Sequence, residues 1–273
     1  MSFQPILAGS GVAAWNLLKS TMPTQTKVHD ADPVITRDTE YFEAKIGDIN
    51  TAEELVSDRR LLRVALGAFG LQDDINNRFF IKRILEDGVI KQDALANRLT
   101  DSRYKDLAGA FGFGNDATPL SKISDFGPKI TEKFRRQQFE VAVGEQDQSL
   151  RLALNAEREL GDLATRKSGE TTKWLKVMGN APLRQVFETA LGLPSSFSQL
   201  DLDQQMEIFR DRADRQLGSG DIAQFSDPEQ VSKLVQRFLL RSQVADIQAS
   251  SSSNVALSLL QGAATFARGL SGR

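Results

Sequence analysis

The sequence predicts an all-α, multihelical protein with repeated helix–turn–helix units of about 40 residues around a long central helix. Three observations carry this expectation. Apolar residues recur every three or four positions over most of the chain, glycines fall where such runs stop, and no stretch alternates apolar and polar residues as a half-buried strand would. We expect roughly 60–70% helix, against ~30–35% in ordinary globular domains.

The N-terminal residues 1–35 mix Gly, Pro, Thr and Asp around a short apolar row of Leu7, Ala14, Trp15 and Leu18. They read as a mobile, amphipathic segment. A helical core domain is expected over 36–248. Thr51 with Glu54 three residues on forms a capping box, in which side chain and backbone satisfy each other's orphan donors. Leu55, Leu62, Ala65, Leu66 and Phe69 then build one apolar face, and Gly70-Leu71 supplies a Schellman stop. A second helix should run from about Asp74 to Glu86, closed by Asp87-Gly88.

The pattern recurs. Tyr104, Leu107, Ala108 and Phe111 repeat the spacing of Leu62, Ala65, Leu66 and Phe69, and Gly112-Phe113 repeats Gly70-Leu71. A weaker third copy ends at Gly192, with Leu183, Val186 and Phe187 before it and Pro194 enforcing the stop. Helical repeats of this length bury their faces by stacking on neighbours; the alternative is that any helix ending in glycine gives such a pattern. From Pro128 to Ala164 apolar residues lie on more than one side, as in a central helix packed on several neighbours, with Gly144 as its kink point. Asp227 with Pro228 opens a further helix, whose Val231, Leu234, Val235, Phe238 and Leu239 face the core. Beyond it, residues 249–273 read as a serine-rich joint followed by an amphipathic helix with Val255, Leu259, Ala263, Phe266 and Leu270 in one row.

Composition excludes several function classes. With 34 basic and 36 acidic residues the net charge is −2, without the basic excess of a nucleic-acid binder. The pairs Arg59-Arg60 and Arg135-Arg136 have acidic neighbours and read as solvated helix faces. Cysteine is absent, which removes disulfides, thiolate metal sites and cysteine nucleophiles together. No run reaches the ~18 apolar residues of a membrane span. The first residues have neither a basic region nor a long apolar stretch, so synthesis in the cytoplasm without a Sec signal is expected.

Candidate chemistry is sparse. The glycines of GAFGFG at 109–114 end a helix, whereas a phosphate loop must open one. Asp201 and Asp203 resemble the start of a calcium loop, but Met206 replaces its glycine and Arg212 its final glutamate, so Asp201 reads as a helix N-cap. His29 is the single histidine and is expected at the surface; it can complete neither a triad nor a metal site without partners. No carboxylate spacing singles out an acid–base pair. No catalytic, cofactor-binding or metal-binding residue is assigned.

The stretches RDTEYFEAKIGDI, AEELVSDRRLLRVALGAFGLQDDINNRFFIKRILEDG, ALANRLTDSRYKDLAGAFGFG and FEVAVGEQDQSLRLALNAEREL, with WLKVMGNAPLRQVFETALGL further on, resemble an uncharacterised alphaproteobacterial family, domain of unknown function 1217. The resemblance covers most of residues 1–245. It implies an association with flagellar gene clusters and supplies no catalytic residues. The expected function is therefore a non-enzymatic structural or assembly protein of the bacterial flagellum, acting through helical protein–protein contacts. The alternative is a cytoplasmic export chaperone or regulator of a flagellar subunit. A wall-cleaving enzyme would need a carboxylate pair that is not visible. The candidate partner-docking residues are those of the two terminal rows, Leu7, Trp15 and Leu18 at one end and Val255, Leu259, Phe266 and Leu270 at the other. The same rows could instead fold back on the chain's own core. If the repeated faces are core, replacing Phe111 with alanine should cost on the order of 3–5 kcal/mol in a denaturant titration.

Overall fold

Most helices among the described residues open at a side-chain cap or close at a left-handed glycine, and those stops decide which faces meet. The computed structural model describes residues 3–114 and 118–248. Helix makes up 77% of it, and no strand occurs among the described residues.

Two helices precede the first repeat unit. Helix α1 spans Gly11–Asp30 and α2 spans Pro33–Lys45, the latter capped by Asp32 with Pro33 at its first position. The helix expected after Thr51 is divided. Thr51 does accept from Glu54 N, and Glu54 Oε2 reaches back to Asn50 N. The resulting α3, Ala52–Ser57, ends at Asp58, whose carboxylate accepts from the backbone N–H groups of Arg60 and Leu61 and so begins α4, Arg59–Ala68. A side-chain cap therefore interrupts a run that apolar spacing alone would join. Helix α5, Arg78–Asp87, starts later than expected and stops at Gly88 as expected.

The short α6, Leu95–Arg98, leads into α7, Ser102–Phe111. The central segment resolves into two helices, α8 at Phe126–Gly144 and α9 at Gln148–Thr165. Asp147 caps α9 through Leu150 N, and the chain reverses there. The two pack side by side, so that Arg158 of α9 meets Glu140 of α8. The segment is a helical hairpin rather than a single rod with a kink. It continues into α10 (Glu170–Met178), α11 (Ala181–Leu191), α12 (Leu202–Leu217) and α13 (228–248).

The glycine stops are as read. Gly70, Gly112 and Gly192 have φ of 70°, 69° and 66°, a region that costs other residues strain. Leu71 N bonds to Leu66 O and Leu193 N to Glu188 O, the long bond of a Schellman motif, while Gly112 N bonds to Ala108 O. The three units do not stack on one another as in a solenoid. Helix α4 lies mainly on α8 and α2, α7 on α5 and α6, and α11 on α9 and α10.

Two large hydrophobic cores result, with a small third cluster of Ile84, Ala96 and Ala108 joining α5, α6 and α7. One gathers α2 to α5 and α7 on the first half of α8, with Phe111, Phe126, Ile130 and Phe134 buried together. The other gathers α1 and α9 to α13 on the second half of α8, around Trp174, Phe187, Phe209 and Phe225. Phe69, Phe111, Phe134, Phe139, Phe187 and Phe238 are all buried.

The N-terminal residues belong to this second core, which corrects the reading of a mobile 1–35 segment. Trp15 and Leu18 are 6% and 0% exposed. Ahead of α1, Gln25 holds Ile6 through both its backbone N–H and its carbonyl, and Gln146 Nε2 donates to Pro5 O. His29 is also buried, between the rings of Phe3 and Phe139, with Nδ1 2.9 Å from Asp30 Oδ1. The surface placement expected for it is overturned because the N-terminal residues cover it.

Helices α4 and α8 cross closely because Gly67 has no side chain. A Cβ added there would lie 2.6 Å from Phe134 Cε2, well inside contact. Gly67→Ala should therefore cost about 1–3 kcal/mol of overpacking, although alanine favours an exposed helix by roughly 1 kcal/mol. Adding Phe134→Leu should recover part of that loss in urea titrations. Strict additivity of the two substitutions would show that the crossing is not tight.

Candidate functional site

The sequence-based docking residues divide three ways. Trp15 and Leu18 are packed inside the chain's own core, and Leu7 is half-buried against it. Val255, Leu259, Phe266 and Leu270 lie outside the described residues. An amphipathic row reports only that one face must be covered; here residues of α8 and α9 cover α1.

The concave feature that the fold builds lies between the two cores, along α9. It is a cleft of about 500 Å³. Its floor is one helical face of α9, carrying Gln148, Arg151, Asn155, Arg158 and Asp162 at intervals of three or four residues, with Arg166 just past the helix end. The facing wall comes from the end of α4, one side of α7 from Arg103 to Ala110 and the middle of α8, and the start of α11 closes one side through Asn180 and Pro182. Seven of the lining residues are Lys or Arg and four are Asp or Glu.

Several of these charges are already engaged. Glu140 is 3% exposed and accepts from Arg158 Nε at 2.7 Å and Nη2 at 3.1 Å, while Arg158 Nη1 also bonds Glu159. Burial pushes the Glu140 carboxyl above the usual carboxylate range, and Arg158 draws it back only in part. Arg103 forks onto Asp101 and donates to Gly70 O at 2.5 Å, so one guanidinium serves both the cap of α7 and the end of α4. Arg136 pairs with Glu132. Lys133 lies over the Phe69 ring at 5.2 Å from its centroid. Lys105, Lys133, Arg151 and Arg166 form no ion pair within 4 Å among the described residues. Asn155 is 9% exposed, and its Oδ1 has no hydrogen-bond partner among the described residues.

A second pocket, of about 410 Å³, lies on the other side of the Glu140–Arg158 pair, with Met22, Phe139 and Leu154 in its wall. Arg135 also lines it and donates to Thr39 Oγ1. The basic pairs read as solvated faces are thus partly structural: Arg60 reaches the buried Asp38 and lies over the Tyr41 ring, and Arg135 reaches α2.

Among the described residues no group of three His, Asp or Glu side chains could hold a metal ion, and no helix is long and apolar enough to cross a membrane. Neither pocket sets a hydroxyl against a histidine. The cleft's polar row on α9 went unread in the sequence because attention to apolar positions hides it. Its signal was present in Arg151, Asn155, Arg158 and Asp162, which share one helical face.

Residues 68–231 match the family model described as "Protein of unknown function (DUF1217)". The crystal structure of a protein from Agrobacterium tumefaciens, solved by a structural genomics consortium, superposes with a TM-score of 0.71 at 26% identity, covering 88% of this chain and 96% of that one. No curated protein matches.

The Glu140–Arg158 pair yields a direct test. Arg158→Met leaves a buried carboxylate without its cation and should destabilise the protein by about 3–5 kcal/mol near neutral pH. Because the Glu140 pKa is raised in the fold, its protonated form is the one the fold favours, so the deficit should shrink as pH falls toward 4.5. Adding Glu140→Leu should restore most of the loss. A pH-independent deficit measured by chemical denaturation would contradict this account.

Proposed function

The chain belongs to the DUF1217 family of proteins of unknown function, and from that premise we propose that it is a non-enzymatic structural or assembly protein of the bacterial flagellum that works by holding a segment of another protein. One observation carries the binding reading: the fold keeps an open, charge-lined cleft along the whole length of α9, between two cores that each pack without closing it. A preformed concavity with convergent polar groups is the usual form of a binding site. Nothing in its lining offers a nucleophile with a base beside it. The flagellar half of the reading is supported by the resemblance of the sequence to a family associated with flagellar gene clusters.

A photo-crosslinking residue at Ala110, in the cleft wall, tests this in a flagellated host. It should join the protein to a flagellar component, and the same residue at exposed Ile123 should not. Deleting the gene should reduce swimming. Fractionation into cytoplasm, basal bodies and sheared filaments then separates a resident component from an export chaperone. Normal swimming of the deletion strain, with no crosslink from position 110, would refute the proposal.

A further inference from the structure

We propose that the α9 cleft is a site for an extended, carboxylate-rich peptide segment, gripped by Lys105, Lys133, Arg151 and Arg166 over a floor that includes the Asn155 amide. The inference rests on reading this cleft as a binding site and assigns the chemistry of what it takes.

Charge is the first observation. Once the paired groups are set aside, four cations face two carboxylates, Asp106 and Asp162, that have no ion-pair partner among the described residues. Just beyond, burial and then the repulsion of Arg166 hold the Lys176 ammonium below the ordinary lysine range, which an incoming anion would relieve.

Asn155 is the second, independent observation. A buried amide oxygen without a partner is costly unless something else satisfies the group. That oxygen has under 1 Å² of accessible surface, so a peptide N–H reaches it only once the Asn155 side chain turns toward the cleft.

Length is the third. The lining runs from Gln148 to Arg166, about 27 Å along the helix axis, the span of roughly eight extended residues and far more than one small anion. A nucleic-acid strand fits less well, because only Phe69 supplies an aromatic ring to the lining and it is 9% exposed. Residues 249–273 contain two arginines and neither Asp nor Glu, so they do not supply the acidic segment, and we assign it to another protein.

A fluorescein-labelled decaglutamate peptide is the probe, with the full-length protein titrated at low salt. Saturable binding is expected, weakened about tenfold by Arg151→Gln with Arg166→Gln, and by raised salt. Exposed charges elsewhere, Lys91→Gln with Lys233→Gln, should leave it unchanged. If the arginine variant loses its helical circular dichroism, Lys105→Gln with Lys133→Gln, both exposed, gives the same reading. No saturable binding, or binding insensitive to both cleft variants, would overturn the inference. So would full competition by inorganic phosphate at equal charge, or tighter binding of a single-stranded DNA oligomer. A crosslink from Ala110 without peptide binding would leave the protein-binding function standing and remove only the acidic occupant. Peptide binding without any crosslink in cells would do the reverse.

Discussion

Helix α8 is shared by two hydrophobic cores, and the rest of the molecule is arranged by that sharing. Its first half buries Phe126, Ile130 and Phe134 among α2 to α5 and α7, and its second half buries Phe139 and Val143 among α1 and α9 to α13. Two contacts fix its neighbours. Gly67 lets α4 approach the Phe134 ring, and Glu140 ties α8 to Arg158 of α9. A buried ion pair is weak evidence for stability, since desolvation offsets much of its attraction. Its effect here is geometric. The pair admits one register of the hairpin, because a slip of either helix would strand a charge in the interior.

The cleft follows from the same arrangement. Helices gathered on opposite halves of α8 cannot also close over the flank of α9, so a polar face remains open between them. Along that face lie Lys105, Lys133, Arg151 and Arg166, which form no ion pair within 4 Å among the described residues. The engaged ones, Arg158 and Arg103, hold structure together; Arg151 and Arg166 pair with nothing within 4 Å among the described residues. Surface cations commonly stand alone, and their meaning here comes from convergence on one groove beside a buried amide oxygen with no partner among the described residues.

Caps, more than apolar spacing, set the element boundaries. Asp58 and Asp147 each open a new helix within a run whose periodicity continues across them. A carboxylate that accepts orphan N–H groups, two for Asp58 and one for Asp147, competes with the continuing helix, and the intact helix would leave those side-chain bonds unmade. Both residues were visible in the sequence, yet apolar period alone joined the helices on either side.

The sequence by itself determined the fold class, the glycine stops and the core phenylalanines, since these depend on local conformation and on hydrophobic period. Gly70, Gly112 and Gly192 adopt left-handed backbone wherever they sit, because that conformation is inexpensive for glycine alone. Only the tertiary structure decided what covers each face. The row Ala14, Trp15 and Leu18 is equally suited to a partner's groove or to the chain's own core, and contacts with residues more than a hundred positions away settle it for the core. His29 became buried for the same reason. The cleft was the least legible feature, because a site of this kind is made of charges left without partners, and that is known only when every helix has found its neighbours.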